Sequence, residues 1–196
     1  MWNRLTCLQA GAAVLTLAQA KAQCRYEDTD QDDTFTALIA EAQAFVEGPR
    51  GAGVALLTQD WRLLADQWPC GPLFVPLTPI QSLTAVTYLD QTGTRQTLDP
   101  SLYVADLTSR PARIASFPGK NLPPVLRVPG AIHVDFVAGF GNEAASVDKR
   151  LIRAMLLLVN HWFENRSAVV GVENRDSSTE LPLGVTALLA PYQLWV

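Results

Sequence analysis

The chain has 196 residues, 48% hydrophobic and 17% charged, with a net charge of −4. That is enough chain for one domain to bury a core without disulfides, and too acidic to offer a basic footprint that grips nucleic acid through its phosphates. The three cysteines, Cys7, Cys24 and Cys70, are odd in number and lack C-x-x-C spacing, which signals neither a disulfide framework nor a zinc site and points to synthesis in a reducing cytoplasm.

The first 22 residues combine Arg4, an apolar run from Ala12 to Leu17 and the small-residue pattern Ala18-Gln19-Ala20, the grammar of a secretory signal peptide. Against that reading, the run is short and interrupted by Thr16, and Cys24 has no lipobox before it. The competing expectation is a short helix over about 16–24 with Leu17 and Ala20 to Ala22 facing inward. No other apolar run approaches the ~20 residues of a membrane span.

An acidic stretch from Glu27 to Asp33 leads into Phe35, Leu38, Ile39, Ala42, Phe45 and Val46, one stripe of an amphipathic helix over about 33–47. Asp32 or Asp33 is the expected cap, and Gly48-Pro49 the stop. From about 51 to 141 Pro and Gly punctuate short runs rich in Val, Thr, Tyr and Leu. Strands are expected near Val54 to Leu64, Leu73 to Pro76, Leu83 to Asp90, Arg95 to Leu98, Tyr103 to Ala105, Ala112 to Ser116 and Ala131 to Val137. Asp90-Gln91-Thr92-Gly93 reads as a hairpin turn. The prolines at 76, 79, 111, 118, 123, 124 and 129 imply a small sheet with many edges.

Helical periodicity returns over about 146–165, with Ser146 as the expected cap. The apolar positions there, among them Leu151, Met155, Leu158, Trp162 and Phe163, cover well over half the circumference, as in a helix packed between other elements or between subunits. Residues from Val169 to Glu180 are polar and irregular. Leu181-Pro182 then opens an apolar segment, Val185 to Leu189, closed by Pro191, and the chain ends on Tyr192-Gln193-Leu194-Trp195-Val196. Large apolar side chains so near a chain end imply docking. The fold class expected is therefore α+β, with helices on both sides of a β-rich region in a single domain over 1–166, and an extended C-terminal arm over 167–196.

Several groupings resemble chemistry. Asp28-x-Asp30-x-Asp32 mimics the opening of a calcium loop, but Asp33 stands where the turn glycine belongs and Ile39 where the bidentate Glu belongs, so helix capping is the better account. Gly139-Phe140-Gly141-Asn142-Glu143-Ala144, between an expected strand and an expected helix, has the local form of a dinucleotide fingerprint, yet no second parallel strand follows. His161 and Glu164 have metal-bundle spacing without further ligands. His133 and Asp135 share a strand face, which could orient an imidazole, but no G-x-S-x-G nucleophile accompanies them. Trp2, Trp61, Trp68, Trp162 and Trp195 are scattered without basic residues between them, unlike base-stacking platforms. Neither catalytic residues, a metal nor a cofactor is expected.

The chain resembles the head-tail connector, or adaptor, proteins of long-tailed phages and gene transfer agents. The carriers are Leu17-Ala18-Gln19-Ala20-Lys21-Ala22, the acidic stretch before the Phe35 to Val46 helix, Thr58-Gln59-Asp60-Trp61-Arg62-Leu63, and the run from Tyr103 to Ile114. They continue through Phe136-Val137-Ala138-Gly139-Phe140-Gly141, His161-Trp162-Phe163-Glu164-Asn165-Arg166, and the run from Leu181 to Tyr192. Order and spacing together carry the resemblance; each piece alone is unspecific. It implies that the Leu17 to Ala22 segment belongs to the mature fold, with nothing cleaved. It further implies a helical bundle with a β-rich insertion, and a structural virion protein rather than an enzyme. Such a protein is made in the bacterial cytoplasm and forms a ring of about twelve copies at the head-tail interface. The implied partners are the portal protein, a stopper or tail completion protein, and further copies of itself, with DNA passing through the channel unbound and no membrane involved. Leu181, Val185, Leu188, Leu189, Tyr192, Leu194 and Trp195 are the expected portal anchors, and Leu151, Met155, Leu158, Trp162 and Phe163 the expected ring or core contacts. An apolar tail after the Pro191-Tyr192 pair departs from the basic residue expected there. A secreted or periplasmic binding protein and a nucleotide-binding enzyme are the alternatives.

Overall fold

A computed structural model describes residues 4–48, 51–165 and 183–193. The first helix, α1 (Leu17–Cys24), begins where Thr16 and Gln19 form a reciprocal capping box. The Gln19 amide donates to Thr16 Oγ1 at 3.2 Å, and the Thr16 amide donates to Gln19 Oε1 at 2.9 Å. It ends at Arg25, in left-handed backbone at φ 53°, and buries Ala20 completely. Helix α2 (Asp32–Val46) turns Phe35, Ile39, Ala42 and Val46 inward, as its periodicity predicts. Neither Asp32 nor Asp33 is its cap, because both lie inside the first turn. Asp32 instead receives the Lys21 ammonium at 2.7 Å, while both carboxylates still suit the positive helix end.

Helix α3 (Lys149–Glu164) starts two residues later than a cap at Ser146 predicts. Asp148 caps it, accepting the Arg150 amide at 2.9 Å, while Ser146 ends a short 3-10 turn, Ala144–Ser146. A carboxylate at the cap outcompetes the hydroxyl because it also meets the partial positive charge of the helix end. The broad apolar face of α3 is used within the chain: it packs against α1, α2 and α4 (Leu183–Leu189). The C-terminal segment, expected as an extended arm, is helical over 183–189 and continues into a 3-10 turn, Ala190–Tyr192.

The β-rich region forms two antiparallel sheets among the described residues. The larger orders β1 (Arg4–Gln9), β2 (Gln59–Ala65), β8 (Ile132–Ala138), β4 (Ile80–Leu89) and β5 (Arg95–Thr97) as β1-β2-β8-β4-β5; the smaller orders β3 (Leu73–Val75), β7 (Ala112–Ser116) and β6 (Tyr103–Asp106) as β3-β7-β6. Strict alternation in β2 and β8 sets the register, with Trp61 opposite Phe136 and Leu63 opposite Val134 on the buried face, and Arg62 opposite Asp135 on the other. The hairpin between β4 and β5 turns at Gly93, φ 83°, with the Asp90 carboxylate accepting the Thr92 and Thr94 amides. Pro76 and Pro79 flank strands and Pro111 precedes β7, outside the ladders as expected. Strand β1 has no counterpart among the expected strands: it falls within the segment that has the grammar of a secretory signal peptide.

There are two hydrophobic clusters, one among the helices and one between the sheets. Residues 54–57, expected as strand, thread between them instead. Val54, Leu56 and Leu57 enter the helical cluster, and Ala55 enters the β cluster. That shared segment makes helices and sheets one packed body.

Candidate functional site

The structure occupies several of the chemistry-like groupings otherwise. The amide of Gly139 donates to Pro79 O at 2.9 Å, that of Phe140 to Leu56 O at 3.1 Å, and the Gly141 carbonyl accepts the Thr58 amide at 2.9 Å. The loop is a stitch between the end of β8 and the segments at 56–58 and 79, with the first two amides of the glycine motif, Gly139 and Phe140, committed to carbonyls. Its glycines answer close approach: a Cβ on Gly139, φ 133°, would lie 2.2 Å from Leu57 O. Asp135 does not orient His133; it forms a bidentate pair with Arg62, at 2.6 and 2.8 Å. Burial, followed by the Arg95 and Arg62 charges, holds the His133 imidazole below its usual range. His161 lies beside Asn165, with 3.3 Å between its Nδ1 and Asn165 Nδ2. Among the described residues no three His, Cys, Asp or Glu side chains are grouped to hold a metal, and no helix is long and apolar enough to cross a membrane. Cys7, Cys24 and Cys70 are free thiols.

The tryptophans of the described residues are anchored. Trp61 is buried with its indole N–H on Gln59 Oε1 at 2.9 Å, Trp68 donates to Pro123 O at 2.9 Å, and Trp162 meets Phe45 edge-on at 6.0 Å. Trp2 and Trp195 lie outside the described residues.

The expected contact residues divide by burial. Leu151, Met155 and Leu158 are fully buried against α1, α2 and α4, so their apolar area is already removed from water by the chain's own helices. Phe163 stacks on Phe35 at a centroid distance of 4.5 Å, and both it and Trp162 are half-buried. Of the expected portal anchors, Val185, Leu189 and Tyr192 are buried in the helical cluster and Leu188 is half-buried, while Leu181, Leu194 and Trp195 lie outside the described residues.

A latch holds the C-terminal segment. The Tyr192 hydroxyl donates to Asp148 Oδ2, which also pairs with Arg150 at 2.8 Å, and the Arg150 guanidinium lies 5.3 Å from the Tyr192 ring centroid. Hydrogen bonds from Arg150 and Tyr192 hold the Asp148 carboxyl well below the usual carboxylate range, and burial followed by the Asp148 hydrogen bond pushes the Tyr192 phenol up to about 12.

A second polar centre joins helices to sheet. Glu47 accepts Gln59 Nε2 at 2.7 Å and the Leu56 amide at 3.1 Å, while Gln43 holds the N-terminal segment by accepting the Val14 amide at 3.1 Å and donating to Ala12 O at 3.1 Å. Burial raises the Glu47 carboxyl above its usual range, against the hydrogen bonds from Leu56, Gln43 and Gln59. Both centres organise packing: the first fastens the C-terminal segment to the start of α3, and the second ties α2 to residues 56–59 and to the segment before α1.

No protein-family model matches the chain, and no curated protein matches it in sequence. Solved structures do match in fold. A chain in the virion of a native gene transfer agent particle is 22% identical with a TM-score of 0.76, and a chain in the neck of an empty gene transfer agent particle computed with C6 symmetry is 22% identical with a TM-score of 0.78. A chain in the neck of the native particle, computed with C12 symmetry, is 21% identical with a TM-score of 0.70. Each correspondence covers 98% of this chain and 96% of the other, so this protein has, from end to end, the fold of a chain found in gene transfer agent particles and their necks.

Proposed function

We propose that the protein is a structural, non-enzymatic adaptor of the neck of a tailed phage or gene transfer agent particle. In this reading it forms a ring between the portal and the stopper or tail completion proteins, around the channel through which DNA leaves. The observation that carries the reading is the near full-length fold correspondence to a chain of a gene transfer agent neck, with a TM-score of 0.78. The C6 and C12 symmetry of the similar assemblies supports a ring of copies. The structural occupation of the glycine loop and the pairing of Asp135 with Arg62 rather than with His133 support a role without catalysis or cofactor. Net acidity suits a subunit beside moving DNA, since an electropositive lumen would retard it. The region from Leu181 to Val196 is the portal contact in this reading, with Leu188 on the half-buried side of α4 and Leu181, Leu194 and Trp195 as further anchors.

The test is light scattering of the purified protein, alone and mixed with its cognate portal ring, beside a Leu188→Asp variant and a chain truncated after Glu180. Full-length protein adds about one copy per portal subunit, and both variants lose that binding. Absence of binding by the full-length protein sinks the adaptor reading.

A further inference from the structure

The described surface holds five exposed large hydrophobic side chains, and three of them, Phe74, Val104 and Phe117, lie on or beside the small sheet. In its register Phe74 is opposite Arg113 and Val104 opposite Ala115, and the neighbouring pairs, Leu73 with Ile114 and Ala105 with Ile114, turn toward the β cluster. Phe74 and Val104 therefore belong to the outer face, the one turned away from the chain's own core. At 40%, 47% and 46% exposure, these three side chains leave an apolar face in water that the other described residues do not cover.

A second apolar surface lies on the helical part. A groove of about 400 Å³ runs between α2 and the segment before α1, floored by Leu15 and Ile39 and walled by Ala13, Ala40 and Ala44. The two surfaces differ in charge. Residues 11–48, the segment that bears the groove, carry seven carboxylates and two cations, with Glu41 exposed on α2. Residues 99–127, around the small sheet, carry four cations, Arg110, Arg113, Lys120 and Arg127, all exposed, and two carboxylates.

We propose that these two surfaces are partners: the outer face of the β3-β7-β6 sheet of one copy seats in the α2 groove of the next copy. The inference rests on the ring reading above and names its interface. A ring needs two different faces per subunit that complement each other and not themselves. The groove is apolar, and the sheet face sets Phe74 and Val104 beside the Arg113–Asp106 ion pair; the segments that bear the two surfaces have opposite net charge, which opposes like-face contacts and favours the head-to-tail one. The side of α3 that carries Leu151, Met155 and Leu158 is consumed within the subunit.

The experiment is sedimentation velocity of full-length protein up to about 1 mM, the weak end of specific association. Wild type is compared with Phe74→Asp, Ala40→Asp and Lys120→Glu. Both changed apolar positions are exposed, and unchanged heat melting verifies that each variant folds. Wild type associates beyond a dimer. Phe74→Asp and Ala40→Asp each weaken association by about tenfold or more, and Lys120→Glu weakens it in a salt-dependent way. An equimolar mixture of Phe74→Asp and Ala40→Asp forms one-to-one dimers, because one variant keeps the groove and the other keeps the sheet face. Monomeric wild type throughout, variants that associate like wild type, or a mixture that gains nothing over its parts overturns the pairing. Portal binding by wild type separates the two readings: if it persists while the pairing fails, the adaptor role stands and only this interface falls. If portal binding fails, the adaptor role falls whatever the self-association shows.

Discussion

Tyr192, near the end of the chain, donates its hydroxyl to Asp148, the residue that caps α3. One carboxylate thus starts the central helix of the bundle and fastens the C-terminal segment across it, while Arg150 closes the group from the side. The segment expected to reach a partner is held, in the isolated chain, by an identifiable set of contacts.

Replacing Tyr192 with Phe keeps the buried ring and removes the hydroxyl. A hydrogen bond to a charged acceptor is lost, and stability in denaturant should fall by about 1.5–3 kcal/mol. Asp148→Ala should cost more, because the cap of α3 goes with it, by about 1 kcal/mol. Urea unfolding of the three proteins side by side checks the order.

The same latch has a pH signature. The Tyr192 phenol is raised to about 12 in the folded chain, so its neutral form is the favoured one. Its contribution is complete below the ordinary tyrosine value of about 10 and is lost as pH rises from there through about 12. The Asp148 carboxyl is depressed, so its contribution is present above the ordinary aspartate range and lost as pH falls through the folded value. Melting measured across the alkaline range should decline in wild type more steeply than in Tyr192→Phe; equal slopes would show that the phenol does not govern it.

Glu47 has the opposite sense from Asp148, since burial raises its carboxyl. The protonated form is favoured in the fold, so its contribution is complete below the ordinary glutamate range and diminishes as pH rises through the folded value. Glu47→Gln should flatten that part of the stability profile. Glu47→Ala should destabilise at every pH by about 1–3 kcal/mol, because the Leu56 amide and the Gln59 side chain lose a buried acceptor.

At Gly139 the backbone has φ 133° and any Cβ would meet the Leu57 carbonyl. Gly139→Ala should therefore destabilise by about 2–4 kcal/mol, while excess NAD or ATP should leave the wild-type melting temperature unchanged. A ligand-induced rise would restore the nucleotide reading.

Leu158 is fully buried between α3 and its neighbours. Leu158→Ala should cost about 2–5 kcal/mol through lost contacts and the cavity left behind. Ala40→Asp, on an exposed helix surface, should leave stability within about 1 kcal/mol, and calorimetry of both separates core from contact surface.

Local rules carried much of the fold. Thr16 and Gln19, the Phe35 to Val46 stripe, the Asp90 to Gly93 turn and the alternation of β8 each depend on residues near one another in the chain, so periodicity and turn chemistry reveal them. The failures share one cause. Ser146 and Asp148 both satisfy the local grammar of a cap, and the choice between them turns on a carboxylate that also meets Arg150 and, from across the bundle, Tyr192. Asp135 shares a strand face with His133, but its partner is Arg62, brought opposite by a pairing of distant strands. Gly139-Phe140-Gly141 has a nucleotide loop's spacing, and only the passage of 56–58 beside it shows what its glycines accommodate. The apolar character of α3 and of Val185 to Tyr192 was legible from composition, but not whether one would cover the other or both would face a partner. Hydrophobic burial is non-directional, and which apolar surface is paired and which is left in water is settled by the packing of the whole chain.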